Sequence, residues 1–317
     1  MELYVLGSGN AFTKKNWQSN FLIHQNGKWL LIDCGSFASI ALKEEMGLNV
    51  WDLDAVYVSH IHADHVNGLE EVEYCTYFNP AIPRPKLFVQ GQYIINNEGQ
   101  AFSSGLVNDL WHDCLKAGSR GLEKLDAQLH TYWDVQAVES NGHFIWEGIK
   151  FDIVQTVHVS AHRKIENSFG LMWNDPDTGE RVYITTDTQH CPVNAMMAYL
   201  TECDVIFHDC ETAPFASNVH AHYESLKTLP AEIKSKIWLY HYQDNVIDEW
   251  DMWSTKAQKD GFRGFVKTGA IFGRTYSEQE AGCIGKSYYT KMARLEAENA
   301  EMRKKLAAYE NKKGSQD

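Results

Sequence analysis

Strand-like and helix-like stretches alternate along most of the chain. Met1 to Leu6, Asn20 to His24, Lys28 to Asp33 and Ala55 to Ser59 are short, rich in Val, Ile, Leu, Phe, Trp and Tyr, and bounded by polar or turn-forming residues, as strands are. The second and third flank Gln25-Asn26-Gly27, and Asn-Gly supplies the positive φ angles of a tight hairpin turn. A second Asn-Gly, at 141 and 142, separates Asp134–Val138 from His143–Trp146, and Asn174-Asp175-Pro176-Asp177-Thr178-Gly179 separates Ser168–Trp173 from Arg181–Thr186. Strand pairs joined in this way predict antiparallel sheet. Helical spacing covers 65–78, 103–116, 192–201, 222–229 and 245–259, so the pattern is an α/β one, sheets between helices.

The last thirty residues follow another rule. From Tyr288 onward, Met292, Leu295, Asn299, Met302, Leu306 and Tyr309 recur at alternating spacings of three and four, with Glu, Lys, Arg and Ala between them. That is a heptad seam, with Asn299 at a position where a buried asparagine fixes register and favours two strands. The chain therefore divides into a catalytic-size domain over 1–285, a coiled-coil helix over 286–312 and a disordered tail over 313–317. A seam of this kind points to a homodimer or a higher homo-oligomer.

Composition narrows the setting. The chain has 317 residues, 44% of them hydrophobic, enough for one large core, and no apolar run long enough to span a bilayer. It opens on a strand with no basic leader, and its seven cysteines, at 34, 75, 114, 191, 203, 210 and 283, show no paired spacing. Both features read as a cytoplasmic protein with reduced thiols. A formal charge of −13 with dispersed Lys and Arg disfavours a stable partnership with long nucleic acid, whose affinity rests on phosphate contacts.

The densest chemistry is His60-Ile61-His62-Ala63-Asp64-His65, directly after the strand-like Ala55–Ser59. Among 14 histidines one pair at i, i+2 would be unremarkable, but four ligand-type residues in six positions are hard to obtain by chance. Imidazole nitrogen with carboxylate oxygen suits zinc, with manganese as the alternative. His60 and His62 can converge on one ion while Asp64 and His65 point to a second. An open position on such an ion makes hydroxide at neutral pH.

This run resembles the hallmark of the metallo-β-lactamase superfamily, His-x-His-x-Asp-His after a strand. Residues matching the other family positions follow in order: Asp33 in Leu31-Ile32-Asp33-Cys34-Gly35, His158 in Thr156-Val157-His158, Asp187 in Ile184-Thr185-Thr186-Asp187 and His241 in Trp238-Leu239-Tyr240-His241. The resemblance implies a four-layer αββα sandwich. It also implies two Zn2+ per chain, one on His60, His62 and His158, the other on Asp64, His65 and His241, with Asp187 bridging. His162, four residues beyond His158, is the alternative third ligand if the strand Phe151–Val157 runs on.

Fold and metals leave the substrate open, because the superfamily hosts many hydrolases. Val205-Ile206-Phe207-His208-Asp209-Cys210-Glu211-Thr212 and Val219-His220-Ala221-His222-Tyr223-Glu224 are similar to two ribonuclease Z motifs, in which an acidic residue orients a later histidine that protonates the leaving group. By that match Asp209 orients His220, with His222 as the alternate. Leu6-Gly7-Ser8-Gly9-Asn10-Ala11-Phe12 also resembles that branch. Only 28 residues separate His158 from Asp187, however, which leaves no room for the arm with which such enzymes grip transfer RNA.

A compact member of this kind resembles the phosphodiesterases that cleave cyclic nucleotides, including phage proteins of the anti-Pycsar type. The expected activity is a dinuclear zinc phosphodiesterase acting on a small cyclic nucleotide through metal-activated hydroxide. The alternatives are an RNA 3′-processing endonuclease, a lactone or β-lactam hydrolase, and a silent metal-binding scaffold. Aromatic side chains that could stack on a base are too numerous to choose among from sequence.

Overall fold

A computed structural model describes residues 1–121, 127–161, 164–191 and 194–273. The heptad seam, the tail and His162 lie outside the described residues. Sixteen strands are described: β1 Glu2–Gly7, β2 Asn20–Gln25, β3 Lys28–Ile32, β4 Ala55–Val58, β5 Lys86–Gln90, β6 Gln92–Ile95, β7 Ala101–Ser104, β8 Asp134–Val138, β9 His143–Trp146, β10 Ile149–Ala161, β11 Lys164–Asn174, β12 Arg181–Ile184, β13 Val205–Asp209, β14 Ile237–Tyr240, β15 Gly264–Phe265 and β16 Ile271–Phe272. Seven form one mixed sheet, in the order β16-β1-β2-β3-β4-β5-β8, and seven a second, in the order β15-β14-β13-β12-β11-β10-β9.

The two sheets meet through large apolar rings. Phe21 on β2 stands 5.5 Å from Phe207 on β13 and 5.1 Å from Tyr240 on β14, centroid to centroid and edge-on. Toward the other end Phe88 on β5 stacks on Phe144 on β9 at 4.1 Å. These side chains are buried, and their packing fixes the sheets face to face, the arrangement in which ligands at strand ends converge from both sheets.

The hairpin expected at Asn26-Gly27 is present, with β2 and β3 antiparallel and positive φ at both turn residues. So is the antiparallel pairing of β11 with β12. The Asn141-Gly142 turn differs: β8 pairs in parallel with β5, whereas β9 pairs with β10, so the turn carries the chain from one sheet to the other. Asn-Gly fixes a local reversal, and which partner each flanking strand finds is decided by long-range burial. The tight β9–β10 hairpin instead turns at Glu147-Gly148, both at positive φ.

Two helical expectations are also revised. Residues 101–104 form β7, paired with β6, and the helical segment begins at Leu106 after Gly105 at φ 75°. The stretch 65–78 is broken into helices Ala63–Val66 and Leu69–Tyr77. Between them a Cβ on Gly68 would stand 2.5 Å from the Gly35 carbonyl oxygen, so the break is where one loop presses on another.

Candidate metal centre

The loop that carries four of the candidate ligands is held by the end of β3. Asp33, at φ 61°, accepts from the Ser59 backbone N–H at 2.8 Å, from the Ser59 hydroxyl at 2.7 Å and from His65 Nδ1–H at 2.8 Å. Cys34 N–H donates to the His65 carbonyl, and Gly68 N–H to the Cys34 carbonyl. Gly35 makes the approach sterically feasible: a Cβ there would lie 1.9 Å from the Asp64 carbonyl oxygen. With Nδ1–H spent on Asp33, His65 presents Nε2 as a lone pair.

His158 reaches the same place by another device. It sits in β10, not at its tip, where the register against β11 shifts between Val157 and Val159. The strand runs to Ala161, and this local irregularity re-aims one side chain without ending it. His158 Nδ1–H donates to the Val219 carbonyl at 3.2 Å, which leaves Nε2 toward the cluster. Asp187 and His241 follow β12 and β14; Thr186 and His241 both adopt positive φ, and His241 N–H donates to the Ser8 carbonyl. Left-handed non-glycine residues thus follow three strand ends around one centre, a concentration of backbone strain typical of functional sites.

Three overlapping donor sets result, each with its ligand atoms within 4.8 Å of one another: His60, His62, His158 and Asp187; Asp64, His65, Asp187 and His241; and Asp187, Asp209, His220 and His241, which shares two members with the second. In the first, His62 Nδ1 lies 3.1 Å from His60 Nε2 and 2.9 Å from His158 Nε2, and Asp187 Oδ2 lies 3.7 and 3.6 Å from those two nitrogens. In the second, His65 Nε2 lies 3.3 Å from Asp64 Oδ2 and 3.4 Å from Asp187 Oδ2, while His241 Nε2 lies 3.5 Å from Asp64 Oδ2 and 3.4 Å from Asp187 Oδ1. Donors on a tetrahedral zinc ion at about 2.0 to 2.2 Å stand roughly 3.3 Å apart, so these separations fit.

Burial and charge point the same way. His65 Nε2, His241 Nε2 and Asp187 Oδ1 are buried with no hydrogen-bond partner, a costly arrangement that a cation among them would relieve. Burial opposes charge on Asp187, yet His241 and His65 hold its carboxyl well below the usual range. Burial likewise opposes charge on His65 and His241, yet the carboxylates led by Asp187 carry both imidazoles well above their ordinary value. Desolvation dominates at His60, which is pushed well down, and at His158, pushed down to about 4. Ionised carboxylates that hold protons on facing imidazoles are the arrangement in which a divalent ion takes the protons' place.

Beside the second set, His220 Nδ1–H donates to Asp209 Oδ2 at 2.8 Å. Asp209, fully buried on β13, also accepts from Thr188 N–H and lies 3.4 Å from His241 Nδ1. The His220 ring stacks on His241 at 4.6 Å, and although burial disfavours its charge, Asp209 raises its pKa above the ordinary value. His222 is placed otherwise. Its Nε2–H donates to the Ala213 carbonyl, and Nδ1 accepts from Glu224 N–H at the start of helix Tyr223–Leu226, so both nitrogens are committed to the backbone.

A cavity of about 780 Å3 opens over the centre, lined by His62, Asp64, Asp187, His220 and His241 and also by Phe12, Glu211, Gln243 and Asp244. The last four do not stand out as site residues in the sequence. Gln243 and Asp244 carried a usable signal, since they follow His241 by two and three positions.

Two face-to-face mixed sheets with a His/Asp centre at their strand ends define a metallo-β-lactamase-fold hydrolase, and the His/Asp cluster is one suited to binding metal. Solved structures agree on the fold: a diphosphatase of the PhnP family superposes with a TM-score of 0.61 at 16% identity, covering 86% of this chain and 97% of that one. Human tRNase Z, short form, gives 0.58 at 15%, covering 86% and 99%. The chain belongs to the anti-Pycsar protein Apyc1 family, whose model matches residues 1–272. A family member from Paenibacillus xerothermodurans is 32% identical over 248 residues, 78% of this chain and 89% of that protein. One from Bacillus phage 010DV004 is 31% identical over 286 residues, 87% and 98%.

Proposed function

We propose that this protein is a dinuclear zinc phosphodiesterase that opens a cyclic mononucleotide to a linear monophosphate. The observation that carries the reading is the sharing of Asp187 between the first two donor sets, beneath a cavity that His220 also lines. Family membership supports the same substrate class, since the relatives are named for acting against Pycsar.

His60, His62 and His158 would hold one ion and Asp64, His65 and His241 the other, with Asp187 common to both. Two divalent ions so held supply charge stabilisation for the phosphodiester oxygens and bring hydroxide within reach of neutral pH. The chain's own groups do the rest. Asp33 and the Val219 carbonyl fix the outer nitrogens of His65 and His158, so their inner nitrogens keep their aim, and Asp209 faces the outer nitrogen of His241 at 3.4 Å. Asp209 accepts from His220 Nδ1–H and favours the charged imidazolium, whose Nε2–H can pass its proton to the leaving alkoxide.

A small substrate suits the surroundings. Between His158 and Asp187 the chain is occupied by β10, β11 and β12, and the acidic charge of −13 opposes a long polyanion. The division into 1–285, 286–312 and 313–317 and a homodimeric or higher assembly through the heptad seam belong to the same proposal. So does a cytoplasmic setting, supported by free thiols at Cys34, Cys75, Cys114, Cys191, Cys203 and Cys210. No helix among the described residues is long and apolar enough to cross a membrane. The test is turnover by the purified protein of a cyclic nucleotide panel, bis-p-nitrophenyl phosphate and a chromogenic β-lactam. Hydrolysis of the first two alone is expected, and β-lactam hydrolysis alone would overturn the reading.

A further inference from the structure

Phe12 is 82% exposed, the most solvent-accessible of the large hydrophobic side chains among the described residues, yet it is not on a loose loop. Its backbone N–H donates to Asn10 Oδ1 at 3.1 Å, closing a side-chain turn over Ala11. Asn10 N–H in turn donates to the Tyr242 carbonyl, one residue past the metal-set histidine His241. On the other side Asp244 accepts from the Thr13 hydroxyl and, at 2.8 Å, from Lys14 N–H. The turn that bears Phe12 is therefore tied at both ends to the segment that follows β14, the same segment that presents His241.

A phenyl ring on a braced turn and open to water is unfavourable by itself, since about 25 cal/mol per Å2 of apolar area goes unburied. It is explained if a planar ligand covers it. Phe12 lines the cavity over the metal centre together with Asp64, Asp187, His220 and His241, and it is the one Phe, Tyr or Trp among that cavity's described lining residues. We propose that Phe12 is the platform on which the nucleobase of the substrate stacks, with Asn10 and Asp244 as positioning residues that hold its turn. Every base has a π face, so a platform of this kind confers affinity for nucleotides over simple phosphodiesters with little preference among bases.

The inference rests on the cyclic-nucleotide reading, and the experiment separates the two. Full-length wild type, Phe12→Ala and Phe12→Trp are compared on cyclic CMP, cyclic AMP and a base-free cyclic ribose phosphate. Base stacking on an aromatic predicts that Phe12→Ala raises KM for both nucleotides about 5- to 150-fold with kcat nearly kept, and that Phe12→Trp restores it. The base-free substrate should respond to neither substitution. If wild type turns over the nucleotides and Phe12→Ala matches it, the platform is wrong and the function stands; if wild type turns over none of the three, both fall. A loss shared equally by base-bearing and base-free substrates would overturn stacking, and a drop in mass by light scattering alongside it would mark Phe12 as a contact between copies of the chain. Because the ring is exposed, Phe12→Ala should melt with wild type; should it not, Phe12→Leu, which keeps the apolar bulk and lacks the π face, must reproduce the KM increase or the proposal is rejected.

Discussion

His220 Nδ1 and Asp209 Oδ2 lie 2.8 Å apart although the residues are separated by eleven positions, Asp209 on β13 and His220 on the loop beyond it. The carboxylate is fully buried and also accepts from the Thr188 backbone, so it cannot turn away from the imidazole. A fixed acceptor at Nδ1 dictates a proton-bearing Nε2 in the charged form, which is the state required of an acid.

His220→Ala should lower turnover of a cyclic nucleotide by about 10² to 10⁴, while p-nitrophenyl esters, whose leaving group needs no proton, are largely spared. Asp209→Asn should follow the same split to a lesser degree. Steady-state kinetics on both substrate types checks this, and equal losses on both would assign the pair a structural role.

Asp187→Asn should weaken both ions, because Asp187 belongs to the donor sets proposed for each of them and its Oδ2 approaches His60, His65 and His158 within 3.7 Å. Elemental analysis should find about two divalent ions in wild type and fewer than one in the variant. A variant that keeps one ion fully bound would show that the aspartate serves a single site.

How much of this was legible in the sequence follows from what each feature depends on. The run from His60 to His65 could be read because its ligands are local, and Asp187 and His241 because each closes an apolar strand. The sequence places His158 where the strand Phe151–Val157 stops, whereas the strand continues to Ala161 and His158 projects from an irregular register, a feature that backbone pairing creates and no residue type announces. His220 and His222 differ by two positions and look alike in the sequence. Only the distance to Asp209 and the carbonyl of Ala213 separates them. Asn141-Gly142 announces a turn but not the partners of the strands it joins, since partner choice depends on residues far along the chain.

Glu73 offers a test of the core. It is fully buried on helix Leu69–Tyr77, accepts from Ser119 Oγ–H and from Trp133 Nε1–H at 2.8 Å, and burial lifts its carboxyl from 4.5 to about 7. A carboxyl whose folded pKa is raised favours the fold most below its unfolded value, and that contribution is lost as pH rises through about 7. Glu73→Gln keeps the shape and cannot ionise, so it should be more stable than wild type at pH 8 by about 2 to 4 kcal/mol and nearly equal to it at about pH 4. Urea unfolding at the two pH values measures the difference; a variant less stable at pH 8 would mean that the ionised carboxylate is favoured in the fold.

Truncation after Lys286 should lower the mass of the particle by light scattering and leave turnover per site unchanged, because the heptad seam of Met292, Leu295, Asn299, Met302, Leu306 and Tyr309 lies wholly beyond that point. An unchanged mass would place the assembly contacts in the catalytic domain.

The most direct test of the central claim is side-by-side kinetics of the metal-loaded protein on a cyclic pyrimidine mononucleotide and on precursor transfer RNA, across a range of salt. One cyclic phosphate at the metal centre needs few outside contacts, so its ring opening should be efficient and only weakly dependent on salt, with precursor transfer RNA cut poorly. Efficient 3′ trimming of precursor transfer RNA, with no turnover of any cyclic nucleotide, would contradict the account.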